Sequence, residues 1–215
     1  MVDLAFAVAG VEVEPHAAAP TLIFKIAVTS TAADAAIENI LLQCQLRIEP
    51  TQRRYAPEDH DRLFELFGET HRWSETLRSM LWTHASVQVP AFASGHVVDL
   101  PVPCSFDLNI AATKYFYGLG AGEVPLSLLF SGTIFYRDAD DLLQMAQIPW
   151  SREATCRLPL RLWQEMMERY YPNSNWLRID RAIFDRLYRY KRRRHHISWD
   201  DTLQALLAEQ EEKVQ

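Results

Sequence analysis

What this chain has little of narrows its options first. Only 7 of its 215 residues are glycine and 11 are proline, so it holds no low-complexity linker. The one glycine cluster, Gly118-x-Gly120-x-Gly122, follows an apolar segment but lacks the strand–turn–helix setting of a dinucleotide loop, and it reads as a turn. The 3 cysteines, Cys44, Cys104 and Cys156, are isolated and odd in number, which points to buried thiols rather than a disulfide or a metal cage. There is no C-x-x-C, no H-E-x-x-H and no G-x-S-x-G. His195-His196 follows a basic run that repels cations. We therefore expect no metal and no cofactor. Positive charge is also short: the net charge of −6 opposes bulk attraction to nucleic acid. No apolar run is long enough to span a bilayer. The N-terminal stretch has no basic region and carries Asp3, Glu12 and Glu14, unlike a secretory signal. A cytoplasmic protein is the expectation.

What is present is a core. Hydrophobic residues make up 48% of the chain, ample for a folded domain. The most ordered pattern is in Gly122–Tyr136, GEVPLSLLFSGTIFY. Leu126, Leu128, Phe130, Ile134 and Tyr136 share one parity, opposite Ser127, Leu129, Ser131, Thr133 and Phe135. Such alternation is a strand with one apolar face. Gly132 inside it marks a bulge or a close backbone approach. Thr21–Ser30 repeats the pattern with Leu22, Phe24, Ile26 and Val28, and Ile37–Pro50 with Ile40, Leu42, Cys44, Leu46 and Ile48. The short segment between these two strands suggests an antiparallel pair.

Leu4–Val13, a strand beginning near Leu81, His96–Pro101, Cys104–Ile110 and Leu142–Pro149 complete about eight expected strands, with a helical insertion near 57–80. Ala111–Leu119 reads as a short helix ended by glycine. The fold expected is α+β, mainly β: an antiparallel two-sheet β-sandwich over 1–150, with a helical subdomain over 151–215 packed on it. Helices there are expected at Leu160–Tyr171, at Asp180–Arg194, and at Trp199–Glu211 with Ser198 as N-cap.

Two polar groups are candidates for binding. Gln43, Gln45 and Arg47 fall on the strand face opposite the core parity, with Leu41, and form a row of planar hydrogen-bonding side chains suited to a peptide or partner protein. Arg186–His196, RLYRYKRRRHH, is the densest basic run; Arg189, Arg192, Arg193 and Arg194 could grip an acidic partner surface. An ordinary solvent face is the plain alternative for each. Trp73, Trp150 and Trp176 sit beside turns and are candidate exposed anchors. An enzyme would need a site between sandwich and helices, for which Asp107, His84 and Glu165 are the candidates. A structural subunit of a larger assembly is the third class.

Q-C-Q-L-R-I-E-P at 43–50, R-R-Y at 53–55, L-F-G at 66–68, W-T-H at 82–84, P-V-P-C at 101–104, K-Y-F at 114–116, P-L-S-L-L-F-S-G-T-I-F-Y at 125–136 and I-P-W at 148–150 together resemble an uncharacterised bacterial family of unknown function. The resemblance covers nearly the whole chain. Genes of that family often lie near actinobacterial-type nickel–iron hydrogenase genes, which implies an accessory or assembly role in a larger complex. The family supplies no catalytic residues to carry over. The function expected is thus a non-enzymatic, protein-binding accessory factor without nucleic-acid or membrane partners, its oligomeric state open.

Overall fold

The computed structural model describes residues 3–30, 36–105, 110–175 and 177–214. The chain divides into two compact units, Met1–Ser174 and Asn175–Gln215.

The first unit is a two-sheet antiparallel sandwich. One sheet has three strands in the order β1 (Leu4–Val13), β2 (Thr21–Ser30) and β5 (Gly95–Pro103). The other is built on β3 (Ala36–Ile48), which has β4 (Met80–Val89) on one side and β6 (Glu123–Arg137) on the other. Along the far side of β6 run two shorter strands end to end, β7 (Leu143–Gln147) and β8 (Glu153–Pro159).

The alternating patterns become the core. Leu22, Phe24, Ile26 and Val28 from one sheet, and Ile40, Leu42, Cys44, Leu46 and Ile48 from the other, are all buried, as are Leu126, Leu128, Phe130 and Ile134 of β6. Phe6 stacks on Phe130 across the layers, with ring centres 4.4 Å apart. At one end an aromatic chain ties sheets to helices. Phe24 meets Trp82, Trp82 meets Phe116 of α3 (Ile110–Gly118), and Phe116 stacks at 4.9 Å on Trp163 of α4 (Leu160–Tyr170). Each such ring pair adds about 0.5–1.5 kcal/mol beyond the area it buries. The insertion at 57–80 holds α1 (Pro57–Phe67) and the single-turn α2 (Trp73–Thr76). Pro57 opens α1, and Gly68 closes it at φ +68°, its N–H donating to the Phe64 carbonyl at 2.7 Å.

Several expectations change. β2 and β3 do not pair. Each is a central strand of its own sheet, because alternation declares which face is buried but not which strand lies alongside. The turn expected between them lies mostly outside the described residues, as does most of the strand expected at 104–110; Ile110 itself starts α3. Pro101 and Pro103 do not interrupt β5. Cys104 N–H donates to the Pro20 carbonyl, so even positions face β2 and the two proline nitrogens turn away from the ladder on an edge strand. Pro125 is accommodated inside β6 similarly. Its carbonyl accepts from Glu49 N–H on the side where β3 has just ended, so no ladder donor is lost there. β8 at 153–159 was not foreseen. It and α4 belong to the first unit, which runs to Ser174.

The second unit is a helical pair, α5 (Arg181–Arg193) and α6 (Trp199–Val214). Asp180 caps α5 by accepting from Ala182 N–H at 2.8 Å. Ser198 Oγ accepts from Asp201 N–H at 2.9 Å while Asp201 Oδ2 accepts from Ser198 N–H at 3.0 Å, a reciprocal cap for α6.

Gly132 shows the closest fit in the sandwich. Its φ is +136°, and a Cβ there would sit 2.0 Å from the Leu41 carbonyl oxygen of β3. Gly132→Ala must push β6 off β3. We expect it to cost about 2–4 kcal/mol in a denaturant melt; an unchanged midpoint would show that the ladder yields there.

Candidate functional site

The outer face of the five-stranded sheet carries the row read from the sequence. Leu41 and Gln43 are exposed, and Gln45 and Arg47 half-buried, between the flanking strands. Register pairs Gln43 with Ser86 of β4 and Ser131 of β6, and Gln45 with His84 and Leu129. These side chains surround a shallow open depression of about 680 Å³. The link between β7 and β8 borders it. Ile148 N–H donates to the Gly132 carbonyl, and Phe130 N–H to the Arg152 carbonyl, so the chain leaves the ladder only for 149–151. That break projects Trp150, 89% exposed, beside the row. Arg47 has another role. Its Nε donates to Ser79 Oγ at 2.8 Å, Ser79 donates to Glu49 Oε1 at 2.8 Å, and Ser127 donates to the same oxygen at 2.6 Å. This chain of bonds links the end of β3 to β6 and to the segment before β4, so Arg47 is engaged in fastening that end of the sheet.

The basic run lies on α5, which buries no residue. Ile183, Leu187 and Leu206 form the floor of an open groove, with Arg186, Arg189 and Arg193 around it. Within the run Arg194 is committed to Glu209 at 2.7 Å. Lys191 folds back on the His196 and Ile197 carbonyls. The Arg189 and Arg193 guanidinium Nε atoms donate to backbone carbonyls one turn earlier, and among the described residues neither guanidinium has an acidic partner. Sequence reasoning grouped four arginines; the fold divides them by partner.

A third cluster is structural. Asp59 is 2% exposed and accepts from Gly120 N–H at 2.9 Å and from Ala56 N–H at 3.1 Å. Arg53 lies 4.0 Å from it and donates to the Ala121 and Glu123 carbonyls. Nearby, Tyr55 and Tyr115 share a hydrogen bond of 2.9 Å, and burial pushes both phenols up, so they stay neutral. This knot pins the 119–123 turn to the start of α1. Removing a buried, doubly bonded carboxylate leaves two N–H groups without their acceptor and Arg53 without its counter-charge, so Asp59→Ala is expected to lower stability by about 2–4 kcal/mol in chemical denaturation. A neutral result would remove its structural role.

Of the enzyme candidates, the two that fall among the described residues, His84 and Glu165, do not share a site. His84 lines the sheet-face depression with Gln45, Glu165 is exposed on α4 and is not among the lining residues, and Asp107 lies outside the described residues. Trp73 is no exposed anchor. It is 8% exposed, with Nε1 donating to the Gly68 carbonyl at 3.0 Å and its ring among Tyr55, His60 and Phe67; Trp176 lies outside the described residues. Among the described residues, no group of three or more His, Cys, Asp or Glu is arranged to hold a metal ion, and no helix is long and apolar enough to cross a membrane. The three free thiols are all pushed up to about 12, chiefly by burial. A group so raised stays protonated and unreactive. We expect iodoacetamide at about pH 8 to leave the buried Cys44 and Cys104 unlabelled in the native protein, to label half-buried Cys156 slowly, and to label all three in denaturant; rapid native labelling of Cys44 or Cys104 would contradict the burial.

The fold and these surfaces define a two-sheet antiparallel β protein with a separate C-terminal helical unit and shallow rather than enclosed sites. The chain belongs to a family of unknown function, DUF6084, whose model matches residues 1–215. No curated protein matches it.

Proposed function

We propose that this is a cytoplasmic, non-enzymatic binding protein whose C-terminal helical unit captures an acidic segment of a larger protein assembly. One observation carries the reading: α5 buries none of its residues yet presents an apolar floor of Ile183, Leu187 and Leu206 rimmed by Arg186, Arg189 and Arg193. An apolar stripe between arginines fits an amphipathic partner helix with leucine-type anchors and flanking Asp or Glu. Charge is also segregated along the chain. Residues 175–215 carry nine Lys and Arg against seven Asp and Glu, while residues 1–174 carry thirteen against twenty-one. Positive charge concentrated on one small unit speeds encounter with an acidic surface and rejects basic ones. An accessory or assembly role in a hydrogenase-type complex, implied by the family resemblance, is the setting we favour for that partner.

The test is Arg189→Glu, Arg192→Glu and Arg193→Glu together in the tagged full-length chain, with partners retrieved from the native host. None of the three holds an ion pair among the described residues, so the circular dichroism melt should be retained. Capture of the partner should fall roughly ten-fold or more, and the parent's capture should weaken with added salt. Capture equal to the parent's would reject α5 as the interface.

A further inference from the structure

We propose that the outer face of the five-stranded sheet is a second binding site, one that takes a neutral oligosaccharide, with Trp150 as its stacking plate.

Position limits the possibilities first. Gln43 and Gln45 lie on β3, which has β4 on one side and β6 on the other, so its backbone groups are engaged in ladders. A ligand on this face cannot add as a strand, which requires a free sheet edge. Recognition must come from side chains.

The side chains then choose the chemistry. Gln43, Gln45, Ser86 and Ser131 each offer both a donor and an acceptor, and His84 offers one of each when neutral. Among the described residues no intramolecular hydrogen bond occupies these four amide and hydroxyl groups or the His84 ring. Sugar hydroxyls have the same dual character, so such a row can pair with them without a fixed polarity. Formal charge is kept to the margin. Arg47 is tied to Ser79, and Glu153 stands one strand beyond Leu129 on β8. That lining gives little grip on a phosphate, a nucleic acid or a strongly charged peptide.

The indole supplies what hydrogen bonds alone cannot. Hydroxyl pairing merely exchanges water for protein and yields little net affinity. A flat aromatic face against the C–H face of a sugar ring removes apolar area from water on both partners. Trp150 is the most exposed tryptophan described, at 89%. Its segment is anchored by two backbone bonds, Ile148 N–H to the Gly132 carbonyl and Phe130 N–H to the Arg152 carbonyl, that bracket the break between β7 and β8. Strand interruptions of this kind re-aim a side chain beside a site. The row Ser86–Gln43–Ser131 runs across the three strands toward it. A depression of about 680 Å³ has room for a short oligosaccharide and stays open for chain ends to continue.

The experiment titrates the full-length protein with maltohexaose, cellohexaose and xylohexaose, followed by tryptophan fluorescence and by amide and indole NMR shifts. At least one sugar should bind saturably with a dissociation constant of about 0.1–1 mM, shifting the Trp150 indole N–H. Trp150→Ala and Gln43→Ala change exposed side chains, so both should melt like the parent yet bind roughly ten-fold more weakly or not at all. The α5 arginine variant should bind sugar as the parent does, which separates this proposal from the one on the helical unit. Absence of saturable binding for all three sugars, or equal binding by Trp150→Ala, overturns the proposal. So does binding of a Ser/Gln peptide in place of every sugar, which would assign the face to polypeptide.

Discussion

The double pairing of β3 is the constraint on which the rest of the first unit depends. β3 takes β4 on one side and β6 on the other over most of its 13 residues. Its inward residues, Ile40 to Ile48 in alternation, are thereby pressed against the opposite sheet, and its outward residues are left as the middle row of an exposed face. Gly132 shows how close this pairing is, since no side-chain carbon fits between β6 and the Leu41 carbonyl. The Arg47–Ser79–Glu49–Ser127 network then fastens one end of the same ladder with charge-assisted bonds. A site on this face inherits a rigid floor, which keeps low the ordering entropy lost on binding.

The helical unit is built on another principle. Among its described residues only Thr202 is buried, and its internal ties are caps, ring contacts such as Phe184–Trp199 and the Arg194–Glu209 pair. Such contacts are each worth roughly 0.5–2 kcal/mol or less. A 41-residue unit of this kind has little core of its own. The apolar side chains it exposes, Ile183, Phe184, Leu203 and Leu207 among them, make association the natural route to further burial. The two units thus offer two kinds of surface: a stiff polar face, and an amphipathic helix rimmed by arginine.

Much was legible from residue order where a pattern had one physical reading. The inward sets of β2, β3 and β6 followed from period two, and Gly132 from the cost of a glycine inside a strand. The cap Ser198 followed from its side-chain acceptor. Other features were hidden for identifiable reasons. β8 has alternation but short, mixed residues, Glu153 to Pro159, and only its pairing with β6 makes it a strand. Trp73 stands beside turns, as an exposed anchor does, but Phe67, Tyr55 and His60 close around it. Arg47 looked like a free guanidinium because Ser79 and Glu49 meet it only in space.

By itself, then, the order of residues determined which side of each long strand is buried, where helices begin, and that Gln43, Gln45 and the arginines of 186–196 face away from any core. These are local consequences of backbone geometry and side-chain chemistry, which act over a few residues. Tertiary structure alone decided that β2 and β3 lie in different sheets, that Trp150 stands beside Ser131, and that Arg47 is tied to Ser79 while Arg189 bonds back to its own helix. Those outcomes depend on contacts between residues far apart in the chain, for which one sequence carries no local signal.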